Sequence, residues 1–159
     1  MKTNRILSLL RLSLGCIFLW AFLDKVFGLG FATTPEKSWL QGVSPTAGFL
    51  QFGTEGVFAA FFQSLSGNVL VDWFFMLGLL GVGVAFIVGI GIRIASIAGS
   101  LMMFLIYLSL FPPENNPLID EHIIYILVLL FLGQTTSTPF SLGSWWQEQK
   151  IVKRYPILR

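Results

Sequence analysis

His122 is the single histidine of the 159-residue chain, and Asp120 and Glu121 stand directly before it. Either carboxylate could hold and orient the imidazole ring, and Tyr125 follows about one helical turn later on the same face. An imidazole held in this way could take or give a proton beside a membrane-soluble redox molecule. A merely exposed or structural histidine at a helix end is the plainer alternative. The other groups able to do chemistry are Asp24 with Lys25, Asp72, Tyr107, and the run Glu114, Asn115 and Asn116. For the acids, a solvated rim is the alternative to a site, because ionisable groups are costly only at membrane depth.

Metal chemistry is not expected. The lone cysteine, Cys16, lies in an apolar run far from His122, and carboxylates by themselves favour only hard cations. A second axial histidine for haem is missing, so no bound metal or haem is predicted. One cysteine also excludes an intrachain disulfide. A net charge of +2, with no basic tract interleaved with aromatics, speaks against nucleic acid as a partner. The glycines at 78, 81, 83, 89 and 91 read as close helix packing rather than a phosphate cradle.

The elements that must position these residues follow from composition. Hydrophobic residues make up 55% of the chain and charged ones 11%, with a mean hydropathy of +0.78. Soluble domains carry about 25% charge, so a water-soluble globule is excluded. The expected architecture is all-α, a bundle of four transmembrane helices forming a single membrane domain. Its spans are placed at about 6–27, 72–92, 94–111 and 120–138, each near the roughly 20 residues a bilayer requires. The first run retains Arg11 and ends in Asp24-Lys25 without a small-residue cleavage site, so it reads as a retained span rather than a signal peptide. Arg11 is expected to snorkel to the inner headgroups.

Residues 32–71 form a long outer connection. Ser44-Pro45 looks like a helix start, and Thr54 could cap a second short helix carrying Val57, Phe58, Phe61, Phe62 and Leu65 at helical spacing. Such short helices would form a lid on the bundle or lie in the membrane interface. The tail, 143–159, carries Trp145-Trp146 followed by Lys150, Lys153 and Arg154, a pattern typical of a cytoplasmic span end.

Sorting charges by side of the membrane gives eight basic residues against one acid on one side, net +7, and seven acids against two lysines on the other, net −5. Basic residues near span ends stay inside. Both termini are therefore predicted to be cytoplasmic, in the cell (inner or plasma) membrane, with the acids outside.

Three segments carry a family resemblance. They are RLSLGCIFLWAFLDKVFGLGF from Arg11, the VDW at Val71 to Trp73, and NPLIDEHIIY at Asn116 to Tyr125. Together they resemble the DoxX/DoxD family of small four-helix membrane proteins, whose DoxD-type members act as the membrane subunit of thiosulfate:quinone oxidoreductase. The resemblance implies a redox membrane protein with quinone as its diffusible substrate. The matching positions are Asp24, Lys25, Asp72, Trp73, Asn116, Pro117, Asp120, Glu121, His122 and Tyr125, with Trp39 joining them more loosely. His122, Asp120, Glu121 and Lys25 would be catalytic, and Asp24, Trp39, Asp72, Trp73, Asn116 and Tyr125 would bind substrate or quinone. Partners would be the lipid bilayer, quinone, and either further copies of the chain or a second redox subunit. The net acidic side repels a dianion such as thiosulfate, so Lys25 would have to compensate locally or the donor would bind elsewhere. A non-catalytic membrane anchor docking a soluble redox partner is the rival reading, and a small transporter a weaker third.

Overall fold

Backbone in hydrocarbon must satisfy its hydrogen bonds internally, so long uncharged stretches of this chain become helices. A computed structural model describes residues 2–114, 116, 118–135 and 139–158, with residues 2–4 as backbone alone. Helix α1 (Lys2–Phe27) leads into a connection built of three 3-10 turns, Pro35–Lys37, Trp39–Gln41 and Gly56–Phe58, and two six-residue helices, α2 (Ala47–Phe52) and α3 (Ala59–Ser64). Helices α4 (Val69–Val88) and α5 (Ile92–Ser109) form a hairpin, and α6 (Glu121–Gly133) follows a loop. The tail holds α7 (Gly143–Glu148), α8 (Lys150–Arg154) and a 3-10 turn at Pro156–Leu158. No strand occurs among the described residues.

Three helices, α1, α4 and α5, are long and apolar enough to cross a membrane, which makes this a membrane protein by length and composition. The fourth expected span differs. Helix α6 is apolar but has 13 residues, about 20 Å at 1.5 Å per residue against a hydrocarbon thickness of about 30 Å. It stops at Gly133 rather than continuing to 138, and Thr136, Ser137 and Thr138 of the expected polar end lie outside the described residues.

Helix α1 packs along α4, α4 on α5, and α5 on α6. Leu14 and Phe18 of α1, Met76, Leu79, Val82 and Phe86 of α4, Ala95 of α5, and Leu129 and Leu132 of α6 form one buried core. Small residues set the closeness of these contacts, as is usual between membrane helices. At Gly83 a Cβ would come within 2.7 Å of the Leu19 backbone nitrogen. Gly99 lies against Val82 and Leu129 at 3.3 and 3.2 Å from the position a Cβ would take. Leu19, Val82, Gly99 and Leu129 thus mark one layer of the bundle. Neighbouring helices run antiparallel, and the charges separate to its two ends. Arg5, Arg11, Arg93 and the tail lie at the basic end, and Asp24, Asp72, Asp120, Glu121 and the connection at the acidic end. Arg159 lies outside the described residues.

Arg11 corrects an expectation. Its side chain is fully buried rather than snorkelling. The guanidinium donates to the carbonyls of Phe86 and Ile87, which belong to the last turn of α4, and to the carbonyl of Phe140 at 2.8 Å. Helix ends leave such carbonyls without intrahelical partners, and a cation there also meets the negative end of the helix dipole. The same knot includes Ser8, whose hydroxyl donates to the Pro139 carbonyl, and Leu142, whose N–H donates to Val88. Gly89 turns the chain at φ +81°, and a Cβ there would collide with Ser141. Below α5, Arg93 donates to the carbonyl of Pro156 and the Trp146 indole donates to that of Leu158, holding the tail across the basic end.

Candidate functional site at the acidic end

The residues expected to form one site divide between two clusters. In the first, Asp24 is almost wholly buried, and its carboxylate accepts the backbone N–H groups of Phe31 and Ala32 at 3.3 and 3.0 Å. It thereby folds the chain back over the end of α1. The Lys25 ammonium donates to the Pro45 carbonyl at 3.0 Å and lies 5.8 Å from the centre of the Phe75 ring. Asp72, in the first turn of α4, accepts hydroxyl hydrogen bonds from Ser44 at 2.8 Å and Thr46 at 2.5 Å. The cap of α4 is supplied instead by Asn68, which accepts from Leu70 N–H. Asp24, Lys25 and Asp72 therefore fasten the connection to the helix ends. Trp39 meets Trp73 edge to face, with centroids 4.8 Å apart; Trp39 packs on the core and Trp73 is exposed.

The second cluster is built at the start of α6. One oxygen of Asp120 caps the helix by accepting from the N–H groups of His122 and Ile123. Its other oxygen lies 2.7 Å from His122 Nδ1, with the two side chains 11% and 16% exposed respectively. A helix cap thus also orients an imidazole. With Nδ1 on the carboxylate, the neutral ring carries its proton there and presents a free lone pair at Nε2, which has no hydrogen-bond partner among the described residues. Tyr107 donates from its hydroxyl to the Leu118 carbonyl at 2.9 Å, and Asn116 accepts from Leu118 and Ile119 N–H, so both shape the loop that leads to Asp120. Glu121 is exposed and makes no contact with His122 of the kind Asp120 makes. Tyr125 is half-buried against the core. Asn115 and Pro117 lie outside the described residues.

No hydrogen bond or ring contact joins the two clusters among the described residues, but they share a height. Moving outward six or seven residues from the layer of Leu19, Val82, Gly99 and Leu129 reaches Lys25, Phe75, Ile106 and His122, about 10 Å along the bundle. A groove of about 540 Å³ opens on α1 below this level, running from Cys16 and Ile17 past Trp20 and Ala21 to Lys25 and Phe31. Trp20 and Phe31 meet edge to face in its wall, 5.2 Å between centroids.

No family model, curated protein or solved structure matches this chain.

No group of three His, Cys, Asp or Glu able to hold a metal occurs among the described residues. The sequence points to the Phe and Trp residues of the first span and of the connection as a class to receive a ring, without singling out Trp20 or Phe31, and it assigns no role to Cys16. The spacing of Cys16 and Trp20 puts them on one helical face, but that face could be recognised as a groove only once Asp24 had folded Phe31 back against it.

Proposed function

We propose that this chain is the membrane subunit of a quinone-linked oxidoreductase of the DoxX/DoxD type, with its acidic end at the outer face of the cell membrane and both termini in the cytoplasm. The orientation follows from the basic residues at the opposite end. The observation that carries the reading is the Asp120–His122 pair, 2.7 Å apart and largely shielded, with Nε2 uncommitted. A quinone reduced by two electrons takes up two protons, and an imidazole held by a carboxylate is suited to deliver them one at a time. The groove on α1, with Trp20 and Phe31 in its wall and Lys25 at its outer end, offers a flat ring an aromatic resting place below the height of His122.

The donor side belongs on a second redox subunit. Two thiosulfate dianions joined through a new S–S bond give one tetrathionate dianion and two electrons, which suffice for one quinone. The acidic end repels a dianion, and the Lys25 ammonium is already engaged with Pro45 and Phe75. This chain accordingly handles the quinone.

The test compares native-host membranes in which the chain is wild type, deleted, or His122→Gln. Donor-dependent reduction of a quinone analogue is expected to fall by at least about 100-fold in His122→Gln, at equal abundance of the chain. An unchanged rate in that variant, with loss only on deletion, overturns the catalytic reading. That outcome would favour a non-catalytic assembly subunit, which the commitment of Asp24 and Asp72 to internal hydrogen bonds already supports.

A further inference from the structure

The connection between α1 and α4 has two apolar faces, and only one of them is covered. Leu50 of α2 and Phe62 of α3 are buried, as a lid's inner face should be. Facing away, Phe52, Val57 and Phe61 are 85%, 75% and 61% exposed, with Phe49 and Phe58 beside them also exposed. An apolar surface of this kind on a soluble lid would mark an interaction site.

Three observations identify what covers it. Between residues 38 and 71 the only charged residue is Glu55, where a segment of this length with ordinary soluble composition would carry about eight. The connection is also fastened directly to the helix ends. Ser44 and Thr46 bond Asp72 in the first turn of α4, Lys25 reaches the Pro45 carbonyl, and the N–H groups of Glu55 and Val57 donate to the carbonyls of Ser109 and Phe111, where α5 ends. At that height α4, one of the helices able to cross the membrane, presents exposed Val69, Leu70 and Phe74. The apolar surface of α2 and α3 therefore continues the lipid-facing surface of the bundle.

We infer that the outward face of the connection, centred on Phe52, Val57 and Phe61, is inserted into the headgroup–acyl boundary of the adjacent leaflet, with membrane lipid as its partner. The short helices lie in the interface plane, one apolar face on the bundle and the other in lipid. Glu55, exposed at the turn between them, stays at the water side. The inference is independent of any redox role.

The experiment uses the full chain in a Cys16→Ser background, which removes its only thiol. Phe52→Cys and Val57→Cys, at two separate exposed positions, and Glu36→Cys as a water-exposed control, are each labelled with a nitrobenzoxadiazole probe. The proteins are reconstituted in phosphatidylcholine–phosphatidylglycerol vesicles. Quenching by lipids with a doxyl group near the headgroup is expected to exceed that of the control severalfold at both positions, with iodide quenching correspondingly lost. Iodide quenching equal to the control overturns the inference. Shielding from both quenchers also overturns it and assigns the face to a second copy of the chain or another protein.

Discussion

At the scale of single residues, Asp24 and Asp72 show how a carboxylate at a helix end can be used up by its own fold. Each was readable as an ionisable group near the membrane surface. What was not readable was its partners, because Ser44 and Thr46 lie 28 and 26 residues from Asp72 in sequence and come to it only when the connection folds back. Asp120 was more legible, since a cap and its helix are local and His122 is two residues away. Asp72→Ala leaves two hydroxyls without their acceptor in a buried site, a loss expected at about 1–3 kcal/mol per unsatisfied group. Thermal unfolding in detergent should show this loss, and Asp72→Asn, which keeps an acceptor oxygen, should recover most of it. Equal stability of the alanine variant and wild type would mean the connection is held by its apolar contacts alone.

At the scale of elements, the glycines of the α4–α5 hairpin share a sequence reading but not a structural role. Gly83 admits the backbone of α1, Gly78 faces Met102, Gly89 turns the chain, and Gly81 faces open space. Helical periodicity places all of them on or near one helix but cannot say which face meets a neighbour, since lipid and helix interior are equally apolar in this chain. The pair Gly83→Ala and Gly81→Ala separates the two cases. The first forces a Cβ into the Leu19 backbone and should destabilise by about 1–3 kcal/mol. The second meets nothing and should be neutral or stabilising by up to about 1 kcal/mol through helix propensity. Calorimetry or denaturant titration in a fixed detergent reads both, and equal losses would show that α1 does not pack where described.

At the scale of the whole molecule, the separation of charge to two ends was legible because it depends only on counting. The knot around Arg11 was not. A lone arginine near one end of an apolar run is ordinarily explained by the headgroups, and only the arrival of the α4 carboxyl end and residues 139–142 turns it into a hub. Arg11→Met keeps an unbranched apolar stem but removes the donors to Phe86, Ile87 and Phe140. The tail should then come loose from the bundle, and trypsin should cleave at Lys150, Lys153 or Arg154 faster than in the wild type. Arg11→Lys, with fewer donors and no planar fork, should fall between the two. Unchanged cleavage in Arg11→Met would leave Val152, which is fully buried, and the Arg93 and Trp146 hydrogen bonds as the tail's real fastening.

Helix α6 reaches only about 20 Å while α4, with 20 residues, reaches about 30 Å. The helical layer is thus taller at α4 than at α6. A bilayer meeting α6 would have to thin there or let water reach inward along the chain before Asp120. Lipids there would be shorter or more disordered than those along α4, and Asp120 and His122, at the start of α6, would stand at the edge of that dimple, within reach of protons from the aqueous phase.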